Sequence, residues 1–170
     1  MHPWLADWIR PLVLLHVLAA FLFVALHGPS IAAIVLLRRE RELPKVQALL
    51  DMSRKASQHS WWGWTLLALT GVLLASIEHA WRQPWVWGSA VLLVAVTLSM
   101  SGLAARAFNE ARHAAGLPWF DGKGTRPAQA PDHARLDAAL DVIRARGALV
   151  MGIGVAGFAA LVWLMVWRPG

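Results

Sequence analysis

The stretch PLVLLHVLAAFLFVALHGPSIAAIVLL, residues 11–37, contains no Asp, Glu, Lys or Arg and decides the fold. Three further stretches without charged residues follow it, at 56–77, 83–105 and 147–167. A helix needs roughly 20 mainly apolar residues to cross about 30 Å of hydrocarbon, and every one of these stretches is long enough. The sequence therefore predicts four membrane-spanning helices.

The composition agrees with a membrane protein of a single domain, residues 1–170. The chain is 58% hydrophobic and 15% charged, with a mean hydropathy of +0.50. A spanning β-barrel is disfavoured because the apolar stretches are continuous rather than alternating, whereas helices satisfy their own backbone hydrogen bonds in lipid. We therefore predict an all-α polytopic membrane protein, a four-transmembrane-helix bundle. The predicted spans are about 11–37, 60–81, 84–106 and 147–167. The two predicted cytoplasmic loops are 38–59 and 107–146.

The basic residues are segregated by loop. Of the 16 Lys and Arg residues, 13 lie between the first and second or between the third and fourth uncharged stretches, and only Arg10, Arg82 and Arg168 lie on the other side. This is the positive-inside pattern, which predicts a bacterial inner-membrane protein with both loops in the cytoplasm and both termini outside. Basic charge alone does not indicate nucleic acid, and no nucleic-acid partner is predicted. The predicted partners are the lipid bilayer, including anionic inner-leaflet lipid, and other membrane subunits or a second copy.

The tryptophans support the same arrangement, because amphipathic indole rings prefer the headgroup level of a bilayer. All but one are predicted at a membrane face, and the exception is Trp119 in the loop between the third and fourth spans. At the predicted outer face the sequence places Trp4, Trp8, Trp81, Trp85, Trp87, Trp163 and Trp167. At the predicted inner face it places Trp61, Trp62 and Trp64.

A weak internal repeat lies in the loops. KVQALLDMSR at 45–54 recurs as RLDAALDVIR at 135–144, and each copy leads into a span. Pro44 suits the first turn of a helix and Asp132 can cap one, so we expect two long helices that begin in the cytoplasm. This layout predicts two hairpins related by a pseudo-twofold axis, with chance similarity between Ala/Leu-rich helices as the alternative. Residues 116–131 lack periodicity and are predicted as an irregular loop.

The fourth span carries a ridge of small residues. Ala148, Gly152, Ala156 and Ala160 recur every four residues. Small residues let helix backbones approach closely in lipid, where hydrophobicity does not drive helix association. The ridge could pack within the bundle or against another subunit, and both interpretations stay open.

Four polar residues in or beside the spans are candidates for a functional site, because polar groups in lipid are costly. His16 and His27 lie on one face of the first span but about 16 Å apart along its axis. Glu78 and His79 lie near the outer end of the second span, at about the depth of His16. His16 with Glu78 or His79 could bind a metal ion, ligate haem iron or move a proton. The leading interpretation is structural, with these groups as interhelical hydrogen-bond partners or a hydrated helix end.

Other sites are excluded or unsupported. The chain has no cysteine, which excludes disulfides, thiolate metal sites and cysteine nucleophiles. No pair of carboxylates falls within a span and no Ser/His/Asp arrangement is evident, so no catalytic residue is predicted.

The first half of the chain resembles a bacterial family. LLHVLAAFLFV at 14–24, His27-Gly28, Arg38-Arg39-Glu40 and ALLDMSR at 48–54 resemble predicted integral-membrane proteins of unknown function and, more distantly, the copper-resistance D-type membrane domain. This resemblance implies a role in copper handling, with His16 as the matching histidine. The methionines are scattered and form no copper path.

The start of the chain also resembles the haem-containing membrane family that oxidises protoporphyrinogen. That resemblance implies that His16 ligates haem b. The family's pattern includes a lysine in a later span, and this chain has no lysine in any span. We therefore predict a non-catalytic membrane subunit or scaffold. The alternative is a haem- or copper-binding membrane protein that uses an outer-leaflet histidine, including a small membrane oxidoreductase.

Overall fold

The computed structural model describes residues 3–169, with side chains described from Asp7 onward, and 83% of the chain is helical. The predicted belt residue Trp4 therefore has no described side chain. The first two helices are α1 (Pro3–Leu37) and α2 (Leu43–Ile77). The third runs without a break through α3 (Pro84–Met100), a π-helical turn (Ser101–Ala105) and α4 (Arg106–Ala114), and α5 (His133–Trp167) is the last. The short elements are a 3₁₀ turn (Ala80–Arg82) and the strands β1 (Trp119–Phe120) and β2 (Thr125–Arg126).

The prediction of an all-α bundle with four transmembrane helices is confirmed. Four helices in the described residues are long and apolar enough to cross a membrane. The chain is a multi-pass membrane protein.

The helices associate as two antiparallel pairs. α1 packs chiefly on α2, and α3 and α4 pack chiefly on α5. Small residues allow the close approach, since a Cβ added at Gly63 in α2 would lie 2.9 Å from the Cα of Phe23 in α1. In the second pair, Gly154 lies against Met100 and Gly157 against Val96. This is the packing expected where lipid surrounds the helices and close contact must replace the hydrophobic effect.

Two predicted helix starts are confirmed. α2 begins at Leu43 with Pro44 in its first turn, and the Asp132 side chain accepts a hydrogen bond from the Arg135 backbone N–H at 3.0 Å at the start of α5. Both helices therefore begin well before the predicted spans at 60 and 147.

Two helix ends differ from the predicted span limits. The third helix continues to Ala114, so the predicted loop 107–146 begins as helix. α2 ends at Ile77, before the predicted limit of 81, because His79 adopts a left-handed backbone conformation with φ of 52° that an α-helix does not admit.

The main hydrophobic core lies at one end of the bundle, outside most of the apolar stretches. We call residues 37–54 and 106–144 the basic cap. Leu37, Val46, Leu50 and Leu140 are four of the five largest fully buried side chains, and all belong to it. Outside the lipid, water drives apolar burial, whereas within lipid it does not. The cap therefore holds the helices together where the hydrophobic effect operates.

A buried arginine ties α4 to α2 within the cap. Arg112 is 6% exposed, and its Nη1 donates to Asp51 Oδ1 at 2.7 Å while its Nε donates to the Pro118 carbonyl at 2.9 Å. Arg54 donates to the same carbonyl at 2.9 Å. Gln47 donates to the Ala115 carbonyl at 2.8 Å. These bonds fix the chain directly after α4, where an uncapped helix end would leave carbonyls without donors.

The predicted irregular loop 116–131 contains a short β-hairpin. The turn requires Gly122, whose φ of 93° favours glycine. The backbone N–H groups of Lys123 and Gly124 donate to Asp121 Oδ1, each at 2.8 Å. These two hydrogen bonds lower the pKa of Asp121 most, and the Arg126 guanidinium lowers this pKa further. Local side-chain bonds of this kind leave no periodic pattern, which is why the sequence did not indicate the hairpin.

Trp119 also finds its place in this cap. Its indole ring stacks on His113 with ring centroids 4.0 Å apart and an interplanar angle of 9°. The tryptophan that did not fit the membrane belts therefore packs the hairpin against α4.

Replacing Asp51 with Ala tests the Arg112 network. We expect the free energy of unfolding to fall by roughly 2 kcal/mol, because the buried guanidinium loses its charged hydrogen-bond partner. Thermal unfolding of the detergent-purified protein, followed by tryptophan fluorescence, measures the change. The control is Asp137→Ala, which removes an exposed aspartate without an ion pair among the described residues. Equal changes in the two variants would contradict a specific role for Asp51.

Candidate functional site

The face of α1 that carries His16 and His27 packs against α2. Ala20, Phe23 and His27 are half-buried and Ile34 is buried. Gly71 of α2 makes room for His16, because a Cβ added at Gly71 would lie 3.3 Å from the His16 ring. The helix face inferred from the spacing of the histidines is therefore an interhelical surface.

His16 is hydrogen-bonded to a buried threonine. Its Nδ1 lies 2.8 Å from the Oγ1 of Thr70, which is 2% exposed. The Thr70 hydroxyl also lies 2.7 Å from the Leu66 carbonyl one turn earlier, the usual acceptor for a hydroxyl in a helix. With its one hydroxyl proton donated to Leu66, Thr70 can accept a hydrogen bond from the Nδ1–H tautomer of His16. This arrangement leaves His16 Nε2 with its lone pair.

His27 has a different environment. Its Nδ1 is buried and has no hydrogen-bond partner among the described residues, and its ring lies 4.6 Å from that of Phe23. His27 is three turns from His16 along the same helix, so the two cannot bind one metal ion together. His59 is exposed, and its Nδ1–H donates to the Lys55 carbonyl one turn earlier at 2.7 Å.

Glu78 and His79 form a separate region at the other end of the bundle from the cap. Glu78 Oε2 lies 3.6 Å from Nη1 of Arg168, and the Arg168 guanidinium lies over the Trp85 ring at 5.2 Å from its centroid. These contacts join the end of α2 to the end of α5 and the start of α3. Glu78 therefore has a basic partner of its own.

The residues of the predicted outer-leaflet metal cluster do not come together. Glu78 lies eight residues beyond Thr70, or about 12 Å along α2 from the level of His16. Among the described residues, no group of three or more His, Cys, Asp or Glu side chains is close enough to hold a metal ion. Thr70, about two turns before the predicted partners, occupies the hydrogen-bonding position beside His16 instead.

The small residues of α5 fall on two faces. Gly147, Gly154 and Gly157 face the bundle, against Ile34, Met100 and Val96 respectively. Ala148, Gly152 and Ala156 are exposed, and no described atom lies within 4 Å of a Cβ added at Gly152. At 100° per residue, the exposed ridge lies roughly opposite the packed glycines. The ridge therefore does not serve packing within this bundle, except that Ala160 is half-buried.

Comparisons with known proteins give no relative. No family model, curated protein or solved structure matches the chain.

Sequence reasoning missed two residues that shape these sites, Thr70 and Arg112. Thr70 was not among the candidate site residues. A hydroxyl beside Gly71 in the middle of an apolar helix was the available signal, since the glycine opens space for a side chain from a neighbour. Arg112 offered no signal, because a buried arginine in a basic segment has the same sequence appearance as an exposed one.

Proposed function

We propose that this protein is a non-catalytic subunit of a membrane assembly in the bacterial inner membrane, with the basic cap in the cytoplasm and both termini outside. The observation that carries the proposal is the exposed ridge of Ala148, Gly152 and Ala156 on α5. Such a ridge lets a second transmembrane helix approach closely, and nothing within the described chain uses it.

The orientation is supported by charge. The basic cap and its flanks carry 13 of the 16 Lys and Arg residues, and positively charged segments remain on the cytoplasmic side during insertion. Exposed tryptophans mark both ends of the spans, with Trp62 near the cap and Trp87 and Trp167 at the opposite end. Because indole rings prefer the headgroup level, these positions support a bilayer that covers the spans between them.

Single cysteines test the orientation without background labelling, since the chain has no cysteine of its own. We expect Arg82→Cys to react with a membrane-impermeant maleimide in intact spheroplasts. Lys123→Cys, at the exposed hairpin turn, should react only after permeabilisation. The reverse pattern would place the basic cap outside and contradict the orientation.

The partner on the ridge is a transmembrane helix, from a second copy of this chain or from another membrane subunit. Backbone approach and van der Waals contact drive such association in lipid, so a bulky side chain on the ridge opposes it directly. Because the ridge is exposed, that substitution leaves the bundle itself intact.

Replacing Gly152 with Leu should shift the protein to a smaller assembly, measured as the mass of the particle extracted from its native membrane in mild detergent. Gly102→Leu is the matched control, because Gly102 is also exposed with no described atom within 4 Å of an added Cβ. Both variants should keep the parent's melting temperature. The assembly role is rejected by a parent particle that contains one copy of this chain alone, or by equal masses for the two variants.

A second candidate function is haem or copper binding through His16, and one observation favours it. Histidines that bind metals usually donate their other ring N–H to a nearby acceptor, which fixes the ring. Thr70 provides that acceptor for His16 Nδ1 at 2.8 Å. His16 is the one ligand that this observation supports, and the described residues contain no cluster of three or more metal-binding side chains. A bound haem would supply redox chemistry, while His16 would hold the iron and Thr70 would orient His16.

Cofactor analysis of the purified protein tests this second candidate. If His16 is a ligand, His16→Ala should abolish the haem absorption band or the bound copper. Thr70→Val keeps the side-chain shape and should weaken cofactor affinity by about 10- to 100-fold. His59→Ala is the control and should match the parent. A parent protein without haem absorption or bound copper would reject cofactor binding while leaving the assembly role standing.

A further inference from the structure

A groove at the boundary between the basic cap and the spans has no role in the functions proposed above. It lies between α4 and α5, has a volume of about 280 Å³ and is open to its surroundings. We call it the arginine groove, and the residues that line it are Arg106, Ala107, Glu110, Ala139, Val142 and Arg146.

The two arginines of the groove lie at the membrane boundary of their helices. Arg106 directly follows the uncharged stretch 83–105, and Arg146 directly precedes the uncharged stretch 147–167. Because the two helices are antiparallel neighbours, Arg106 and Arg146 lie at the same end of their spans, the level expected for lipid headgroups. Long basic side chains reach that level readily from a helix end.

Both arginines carry charge that the described residues do not neutralise. Neither has an ion-pair or side-chain hydrogen-bond partner in the described part of the chain. Glu110, the acidic residue of the groove, is bound to Arg135, with Nε and Oε1 2.5 Å apart. The groove therefore offers two free guanidiniums to an anion, and guanidinium groups bind phosphate oxygens in a bidentate manner.

A small apolar cleft shares two lining residues with the arginine groove. Ala107 and Arg146 also line this second cleft, whose other walls include Ile34, Gly147 and Val150. The π-helical turn (Ser101–Ala105) borders the cleft through Leu103 and Ala104. π-helical turns are rare in proteins, and those that occur are often found at functional sites. The surface next to the two arginines is therefore apolar on the side of the spans.

We infer that the arginine groove binds the phosphate of an anionic phospholipid, whose acyl chains would lie along the apolar surfaces of the adjoining spans. Basic pockets between transmembrane helices at the cytoplasmic face are suited to acidic lipid headgroups. Arg106 and Arg146 directly border uncharged stretches, so a phosphate bound here lies where the acyl chains of a phospholipid can contact the spans. The inference rests on the proposed orientation, which puts the groove at the cytoplasmic face, but not on the ridge of α5, which lies further along that helix.

Titration of the detergent-purified full chain with dioctanoyl phosphatidylglycerol, followed by native mass spectrometry, tests the inference. In the double variant Arg106→Gln and Arg146→Gln, we expect the affinity to fall about 30-fold. The control is the double variant Arg39→Gln and Lys55→Gln, which removes two exposed cations near the same membrane face but outside the groove. Its affinity should fall by about threefold or less, since salt screens distant charges.

Two further measurements separate the outcomes. Val142→Trp fills the groove without changing charge and should also weaken binding, which keeps the test valid if the arginine variant does not fold. Dioctanoyl phosphatidylcholine should bind weakly, and inorganic phosphate should not displace the phosphatidylglycerol. Equal losses in the arginine and control variants would indicate diffuse attraction and overturn the site. Displacement by inorganic phosphate would overturn the lipid as its ligand.

Discussion

The hydrophobic effect holds helices together only where water surrounds them, and this chain meets that condition mainly in the basic cap. Leu37, Leu50 and Leu140 are buried there by α4 and by the early turns of α2 and α5. The spans themselves expose most of their apolar side chains, as lipid allows, and associate through small residues such as Gly63. The contacts in the cap therefore determine which helices are neighbours, and the spans of those helices then pack against each other.

Polar side chains in the spans act within that frame. His16 pairs with Thr70 between α1 and α2, and the Trp64 indole N–H donates to Thr97 Oγ1 at 3.2 Å between α2 and α3. Ser30 donates to the Ser53 carbonyl at 3.3 Å. Each bond joins helices that the cap already brings together, and each adds modest energy because hydrogen bonds in membranes have alternatives in the unfolded state. Their value lies in fixing rotation and register.

The parts of the fold that depend on short segments were predictable. Uncharged length identified the spans, while Pro44 and Asp132 identified the starts of α2 and α5. Partners distant in sequence were not predictable, because a single sequence does not reveal which faces meet. His16 was assigned to the depth of Glu78, whereas its partner Thr70 lies about two turns earlier along the chain. Arg112 and Asp51 are 61 residues apart, and no local pattern connects them.

The last helix combines these constraints. The first turns of α5 contribute to the core of the cap, and this part of the helix ends at Arg146, which lines the arginine groove. Beyond Arg146, Gly154 and Gly157 face the bundle while Gly152 and Ala156 face away from it. A partner on the outer ridge would meet a rigid helix anchored by both the cap and the packed glycines. Such a helix can bind a neighbour without losing its own contacts, which is what a subunit of a membrane assembly requires.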